Sequence, residues 1–162
     1  MNKERAIQIV RLQENLASIR RIAGWTAEDL GEMLGVTKQN ISNLEKENTK
    51  LSQAQYIAIR HLLDYQISLD KKNRTLPHII RLLLDSLEIQ GHEYSLLRST
   101  ARDIGNAAVS MKGSTLRIFA DTLLKACYTE AADMTEIEGP LKKACEEKRI
   151  HDWTADIFSE KK

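Results

Sequence analysis

The chain has 162 residues, of which 42% are hydrophobic and 29% are charged, and its formal net charge is +1. This balance is typical of a folded protein and excludes a disordered chain, and no apolar run approaches the roughly 18 residues of a membrane span. The charged start at residues 1–5 lacks the apolar core of a secretory signal, so we expect a cytoplasmic protein that does not associate with a membrane.

The N-terminal segment shows the spacing of an amphipathic helix. Its apolar residues recur close to the helical repeat and are Ile7, Val10, Leu12, Leu16, Ile19 and Ala23. Gly24 follows directly, and glycine commonly ends a helix because it adopts a left-handed backbone without a Cβ clash. The pattern therefore predicts one helix over residues 2–23, with these positions on its apolar face.

Two short helices joined by a tight turn are predicted next, over residues 26–34 and 38–45. The apolar positions of this stretch are Leu30, Met33, Leu34, Val36, Ile41 and Leu44. Gly35 is the natural turn residue, and Thr37 or its neighbour can cap the second helix. The outward positions of that helix are polar and can donate hydrogen bonds to base edges or phosphates; they are Lys38, Gln39, Asn40 and Asn43. This arrangement predicts a DNA-binding helix-turn-helix motif.

A fourth helix and a linker follow the motif. After a polar loop at residues 46–50, Ser52 and Gln55 form the capping-box pair that opens the fourth helix. Residues 70–75 are a polar linker, and Pro77 suits the first turn of a new helix. That helix, which extends to about residue 90, is apolar on more than one face and must be covered by its own domain or by a second chain.

The remaining segments are also predicted to be helical. They are helices over about 92–111 and 114–132, a short helix from Gly139-Pro140, and a final amphipathic turn with Trp153, Ile157 and Phe158. No alternation of the strand type occurs along the chain. We therefore expect an all-α protein with two parts: a helix-turn-helix domain over residues 1–70 and a helical region over residues 76–162.

The sequence contains few residue types and spacings that are typical of an enzyme or a metal site. Cys127 and Cys145 match no metal-ligand spacing, and we expect them to be free buried thiols. The four histidines are scattered over separate segments, and no glycine-rich phosphate loop or nucleophile set occurs. The sequence therefore predicts a protein that is not an enzyme and that uses no metal or cofactor.

Residues 20–63 resemble the Cro and lambda-repressor type of helix-turn-helix domain, the XRE family. The residues that carry the resemblance are Arg20, Leu30, Gly31, Leu34, Gly35, Val36, Ile41, Leu44 and Glu45. The resemblance implies that Arg20 on the first helix of the domain pairs with Glu45 at the end of the recognition helix. It also places Gly31 where two helices approach closely and a larger side chain would separate them.

The same resemblance implies which residues contact DNA. Base recognition falls to Lys38, Gln39, Asn40 and Asn43, because amide side chains can pair with adenine and lysine with guanine. The backbone at Thr26 and Ala27 would face a phosphate, Thr37 would contact a phosphate or only cap its helix, and Lys46 and Lys50 would neutralise phosphates. Ala27 replaces a glutamine that is common there, and Glu47 stands where glycine is frequent.

The charge of the chain is unusual for a DNA-binding protein. Residues 1–65 contain nine Lys or Arg and eight Asp or Glu, which leaves 24 − 9 = 15 basic and 23 − 8 = 15 acidic residues beyond them. The neutral second half argues against another DNA site there. We expect it to join two copies into a homodimer through the apolar helix 77–90, and it can also bind an effector or a protein partner.

Three functions are compatible with these patterns. The first is a sequence-specific transcriptional regulator of bacterial or phage type, expected to be a repressor, whose recognition helix binds double-stranded DNA. The second is an antitoxin-like regulator whose C-terminal helices bind a partner protein. The third is a helix-turn-helix module for protein interaction that does not bind DNA, which the near-neutral charge makes more credible.

Overall fold

The computed structural model of the protein describes residues 2–133, 140–147 and 151–159. Within these ranges the chain forms helices and no β-strand, so the predicted all-α class is confirmed. The helices are α1 (Lys3–Glu14), α2 (Leu16–Ala23), α3 (Ala27–Leu34), α4 (Lys38–Glu45), α5 (Gln53–Leu69), α6 (Thr75–Ile80), a π-helical turn (Arg81–Asp85), α7 (Gly91–Ala108), α8 (Gly113–Asp133), α9 (Pro140–Glu146) and α10 (Trp153–Ser159). None of these combines the length and the apolar character that crossing a bilayer requires. Gly139, expected to open the short helix, lies outside the described residues.

The single helix expected over residues 2–23 is instead two helices that meet at Asn15. The backbone of Asn15 leaves the helical region, with φ −113° and ψ 13°. Its side-chain amide donates to the carbonyl oxygen of Arg11 at 2.8 Å and to the hydroxyl of Tyr94 at 3.0 Å. Asparagine competes with the helical backbone for hydrogen bonds in this way, and the apolar repeat on either side does not report it.

The buried face of α1 also differs from the predicted one. Ile7 and Val10 are 39% and 53% exposed, whereas Ile9 and Leu12 are buried. The same buried face carries polar residues: Arg5, Gln8, Arg11 and Gln13. The prediction for Ile7 and Val10 is wrong because the buried polar side chains find hydrogen-bond partners in the interior: Arg5 binds Gln8, and the other three bind backbone carbonyl oxygens. Apolar character alone therefore does not identify the inward face.

The polar face of α1 binds the segment around the π-helical turn. Gln8 donates to the carbonyl oxygen of Leu84 at 3.1 Å. The Arg11 guanidinium donates to the carbonyl oxygens of Ser86, at 3.3 Å, and Ile89, and it lies 4.3 Å from the ring centroid of Tyr94. These bonds supply donors to buried carbonyl groups in and just after the π-helical turn, where the Ser86 oxygen also accepts from the Ile89 N–H at 3.1 Å.

The apolar helix expected over residues 77–90 lies at the centre of the molecule. The regular helix begins at Thr75, continues into the π-helical turn and ends at Asp85. Leu82, Leu83 and Leu84 are all 0% exposed, and Ile89 is equally buried. Because its own chain already covers this segment, the expectation that it joins two copies is incorrect.

One hydrophobic core extends from the helix-turn-helix region into the C-terminal helices. Helix α2 packs along α7, where Gly105 approaches Ser18 so closely that an added Cβ would lie 2.9 Å from the Ser18 Cα. Arg60 of α5 forms a two-bond ion pair with Asp85, at 2.7 and 3.0 Å, and both side chains are almost fully buried. The division of the chain at the predicted linker, residues 70–75, stays a prediction, and contacts such as the Arg60–Asp85 pair join residues on its two sides.

Replacing Arg11 by Met should lower the free energy of unfolding by about 3 kcal/mol, because buried carbonyl oxygens lose a charged donor. Urea unfolding followed by circular dichroism measures the change. Val10→Ala on the exposed side of the same helix is the matched control and should shift stability by less than about 1 kcal/mol. Equal losses in the two variants would contradict the role given to Arg11.

The two cysteines should resist thiol reagents in the folded protein. Both are buried and free, as predicted, and burial raises the pKa of Cys145 to about 12 and that of Cys127 in the same direction. Because the raised pKa keeps the thiol protonated, reaction with a disulfide reagent at pH 8–9 should be about a hundredfold slower than for an exposed cysteine. The urea-unfolded protein is the control and should react rapidly at both thiols.

Candidate nucleic-acid interface

The turn between α3 and α4 forms as predicted. Gly35 adopts the left-handed backbone, with φ 74°, and the Thr37 hydroxyl caps α4 by accepting from the Asn40 N–H at 3.0 Å. A Cβ added to Gly31 would lie 2.8 Å from the carbonyl oxygen of Val36, so only glycine permits this approach. Leu30 and Ile41 are buried, but Met33, expected among the apolar positions of the motif, is 42% exposed.

An ion pair fixes α4 against α2. The Arg20 guanidinium donates to both carboxylate oxygens of Glu45, at 3.2 and 2.9 Å, and also to the carbonyl oxygen of Trp25 at 2.9 Å. The two side chains are only 10% and 13% exposed. A bidentate pair in this setting fixes orientation as well as distance, so it sets the angle at which α4 leaves the core.

Gln13 of α1 also binds the last turn of α4, next to Glu45, and the loop that follows. Its amide nitrogen donates to the carbonyl oxygens of Leu44, at 3.0 Å, and Thr49, at 2.6 Å. Its amide oxygen accepts from the Leu51 N–H at 3.0 Å. Gln13 was not among the predicted site residues, since a glutamine on a helix carries no sequence signal for such contacts.

The loop after α4 contains one strained residue. Glu47 has φ 61°, a left-handed conformation that side chains rarely adopt, at the position where glycine is frequent in similar domains. The Asn48 N–H donates to the carbonyl oxygen of Asn43 at 2.9 Å, which closes the loop against the recognition helix. Lys46 and Lys50 are exposed on this loop.

The outward face of α4 is polar and open to solvent. Lys38, Gln39 and Asn40 are exposed, and Asn43 is half-buried. The amide nitrogen of Gln39 donates to the amide oxygen of Asn43 at 3.1 Å. This bond leaves the Gln39 amide oxygen and the Asn43 amide nitrogen as an adjacent acceptor and donor, the combination that adenine requires in the major groove.

The start of α3 is less suited to binding a phosphate than its position at a helix N-terminus alone would indicate. The Thr26 N–H and hydroxyl are both engaged in a capping box with Asp29, at 2.8 and 3.0 Å, and Ala27 is half-buried. Hydrogen bonds from Thr26 lower the pKa of Asp29, so this carboxylate is ionised at neutral pH. With Glu28 beside it, the first turn carries two negative charges.

One comparison with known proteins agrees with this geometry. A family model described as "Helix-turn-helix" matches residues 16–69. This segment is a helix-turn-helix domain of the Cro and lambda-repressor type, the XRE family. The domain comprises α2 to α5, whereas α1 precedes the match and the C-terminal helices follow it. The comparisons with curated proteins and with solved structures found no match. The family is one of DNA-binding regulatory domains and is typically non-enzymatic.

Replacing Arg20 by Met should destabilise the protein by about 3 kcal/mol, because Glu45 would remain largely buried without its partner. The matched control is Arg98→Met, which removes the 3.6 Å ion pair of an exposed arginine with the partly buried Glu14, together with a 3.3 Å hydrogen bond to the Glu14 carbonyl oxygen, and should cost less than about 1 kcal/mol. Urea unfolding of both variants gives the comparison. A loss for Arg20→Met no larger than the control would show that the pair does not fix α4.

Proposed function

We propose that the protein is a sequence-specific transcriptional regulator, of the repressor type found in bacteria and phages, that binds double-stranded DNA through α4. The observation that carries this proposal is the open polar face of α4, a helix whose last turn is held by both α1 and α2. The Arg20–Glu45 ion pair fixes its angle to α2, and Gln13 binds its last turn. Because such a helix is already rigid, it can enter the major groove with little loss of backbone conformational entropy, and its polar side chains can adjust to the bases.

Base recognition in this proposal centres on Gln39 and Asn43. Their mutual hydrogen bond presents an acceptor beside a donor, which matches the N6 and N7 edge of adenine. Lys38 and Asn40 flank the pair on the exposed surface and would contact neighbouring bases. Each well-formed base contact contributes about 1–3 kcal/mol of discrimination.

Phosphate binding in this proposal falls to the loop after α4. Of the nine cationic residues in 1–65, four are buried and are therefore withdrawn from DNA: Arg5, Arg11, Arg20 and Arg60. Lys46 and Lys50 remain exposed beside the recognition helix. The Thr37 hydroxyl can still donate to a phosphate while it caps α4. The charged first turn of α3 reduces the contribution of Thr26 and Ala27, so the salt dependence of binding should be modest.

Two copies are proposed to bind neighbouring half-sites about 34 Å apart, since one module of this size buries too little surface for tight specific binding. The segment at residues 77–90 does not supply the contact between them, because it is buried within one chain. The second copy is therefore inferred only from the buried surface area that tight specific binding requires. The number of protein copies bound to each DNA site tests this inference.

The double variant Gln39→Ala with Asn43→Ala should lose sequence preference while retaining its fold. Specific affinity should fall by about 2–6 kcal/mol in total, and affinity for unrelated DNA should change little. Fluorescence anisotropy with labelled DNA from upstream of the protein's own gene measures both affinities, and titration to saturation gives the number of copies bound. Unchanged preference in the double variant would remove α4 as the base-reading element.

Lys46→Gln is the matched control for that experiment. Loss of one phosphate contact should weaken binding to all sequences alike and reduce the slope of log affinity against log salt by about 1. If the wild-type protein binds none of the upstream DNA, the near-neutral charge favours the alternative of a protein-interaction module. Co-purification of a neighbouring gene's product, together with DNA binding, would instead favour the antitoxin-like regulator.

A further inference from the structure

A cavity of about 510 Å³ lies between the end of α5, the turn that leads into α6, and α8. Its volume falls in the range of about 300–1,000 Å³ that is typical of small-molecule sites. Ile67, Pro77 and Ala120 give it apolar walls from three different elements. The described residues that line the cavity lie between Ile67 and Asp121, and none of them is among the residues proposed to contact DNA.

The charged residues around the cavity are predominantly cationic. Four basic side chains line it: Lys71, Arg74, Arg81 and Arg117. The acidic residues among the described lining are Asp70 and Asp121, so the formal excess is 4 − 2 = 2 positive charges. An apolar volume with an excess of cations favours a ligand that has an apolar body and an anionic group.

Arg81 is a lining residue whose buried donor lacks a hydrogen-bond partner among the described residues. It is only 7% exposed, and one of its terminal nitrogens donates to the carbonyl oxygen of Ala144. Its Nε is buried and has no hydrogen-bond partner among the described residues. Burial lowers the pKa of this guanidinium more than the nearby carboxylates of Glu147, Asp85 and Glu88 raise it. Buried donors without partners are costly, and an anion would supply the missing acceptor.

We propose that this cavity binds a small organic molecule with an apolar body and one carboxylate or phosphate group, which Arg81 and Arg117 bind from two different elements. Arg81 comes from the π-helical turn and Arg117 from the exposed side of α8. The apolar body occupies the space beside Ile67 and Ala120. The guanidinium groups provide the planar donor pairs that both kinds of anion accept.

The site is connected to the recognition helix by hydrogen bonds. Arg81 begins the π-helical turn, whose Leu84 carbonyl oxygen accepts from Gln8 of α1. Gln13, on the same helix, binds the Leu44 carbonyl oxygen at the end of α4. An effect of the ligand on DNA binding would rest on the proposed function, so ligand binding is measured in the absence of DNA.

Calorimetric titration of the full chain with decanoate, decyl phosphate and decanol tests the proposal. The two anions should bind the wild-type protein at one site, and decanol, which lacks the charge, should bind at least about tenfold more weakly. Arg117→Gln and Arg81→Met should each weaken anion binding by about tenfold or more. Arg102→Gln removes an exposed arginine from a different groove and is the matched control, expected to bind like the wild type.

Three outcomes would overturn the proposal. They are absence of binding by both anions, equal binding of decanol, or equal weakening in Arg102→Gln. Arg117 is exposed, so its variant should fold even if loss of the buried Arg81 does not permit folding. Preference for decanoate over decyl phosphate, or the reverse, would identify which of the two anionic groups the site accepts.

Discussion

Three polar side chains on the buried face of α1 bind backbone carbonyl groups from both halves of the chain. Gln8 binds the π-helical turn at Leu84, Arg11 binds the segment that follows the turn, and Gln13 binds the end of α4. Because buried carbonyl groups need donors, the position of α1 is coupled to both regions at once. This helix lies outside the matched family segment, yet the placement of the recognition helix depends on it.

The recognition helix is consequently fixed on two sides, by α1 at its last turn and by α2 through the Arg20–Glu45 pair. Its outward face remains free, and the adjacent loop carries the exposed lysines. The capping box of α3 places carboxylates at the other edge of the motif. Charge on this small domain is therefore unevenly distributed, with exposed lysines at one edge of the motif and carboxylates at the other, although the net charge is close to zero.

The helix-turn-helix region could be predicted well because its signals are local. Gly35, the Thr37 cap and the Ser52–Gln55 capping box each act within a few residues, so their spacing specifies the structure. The inward face of α1 could not be predicted, since Ile7 and Ile9 are equally apolar and only their distant neighbours distinguish them. For the same reason the local sequence pattern did not identify Gln13 as a residue that contacts the end of α4.

The sequence by itself determined the all-α class, the helix-turn-helix motif and the polar character of its outward face, because helix period, caps and turn residues are short-range properties. Only the tertiary structure decided what covers the apolar segment at residues 77–90, which arginines are buried, and where the cationic cavity lies. Those features depend on contacts between residues that are far apart along the chain, such as Arg11 with Ile89 and Arg60 with Asp85. A pattern with a period of a few residues carries no information about such pairs.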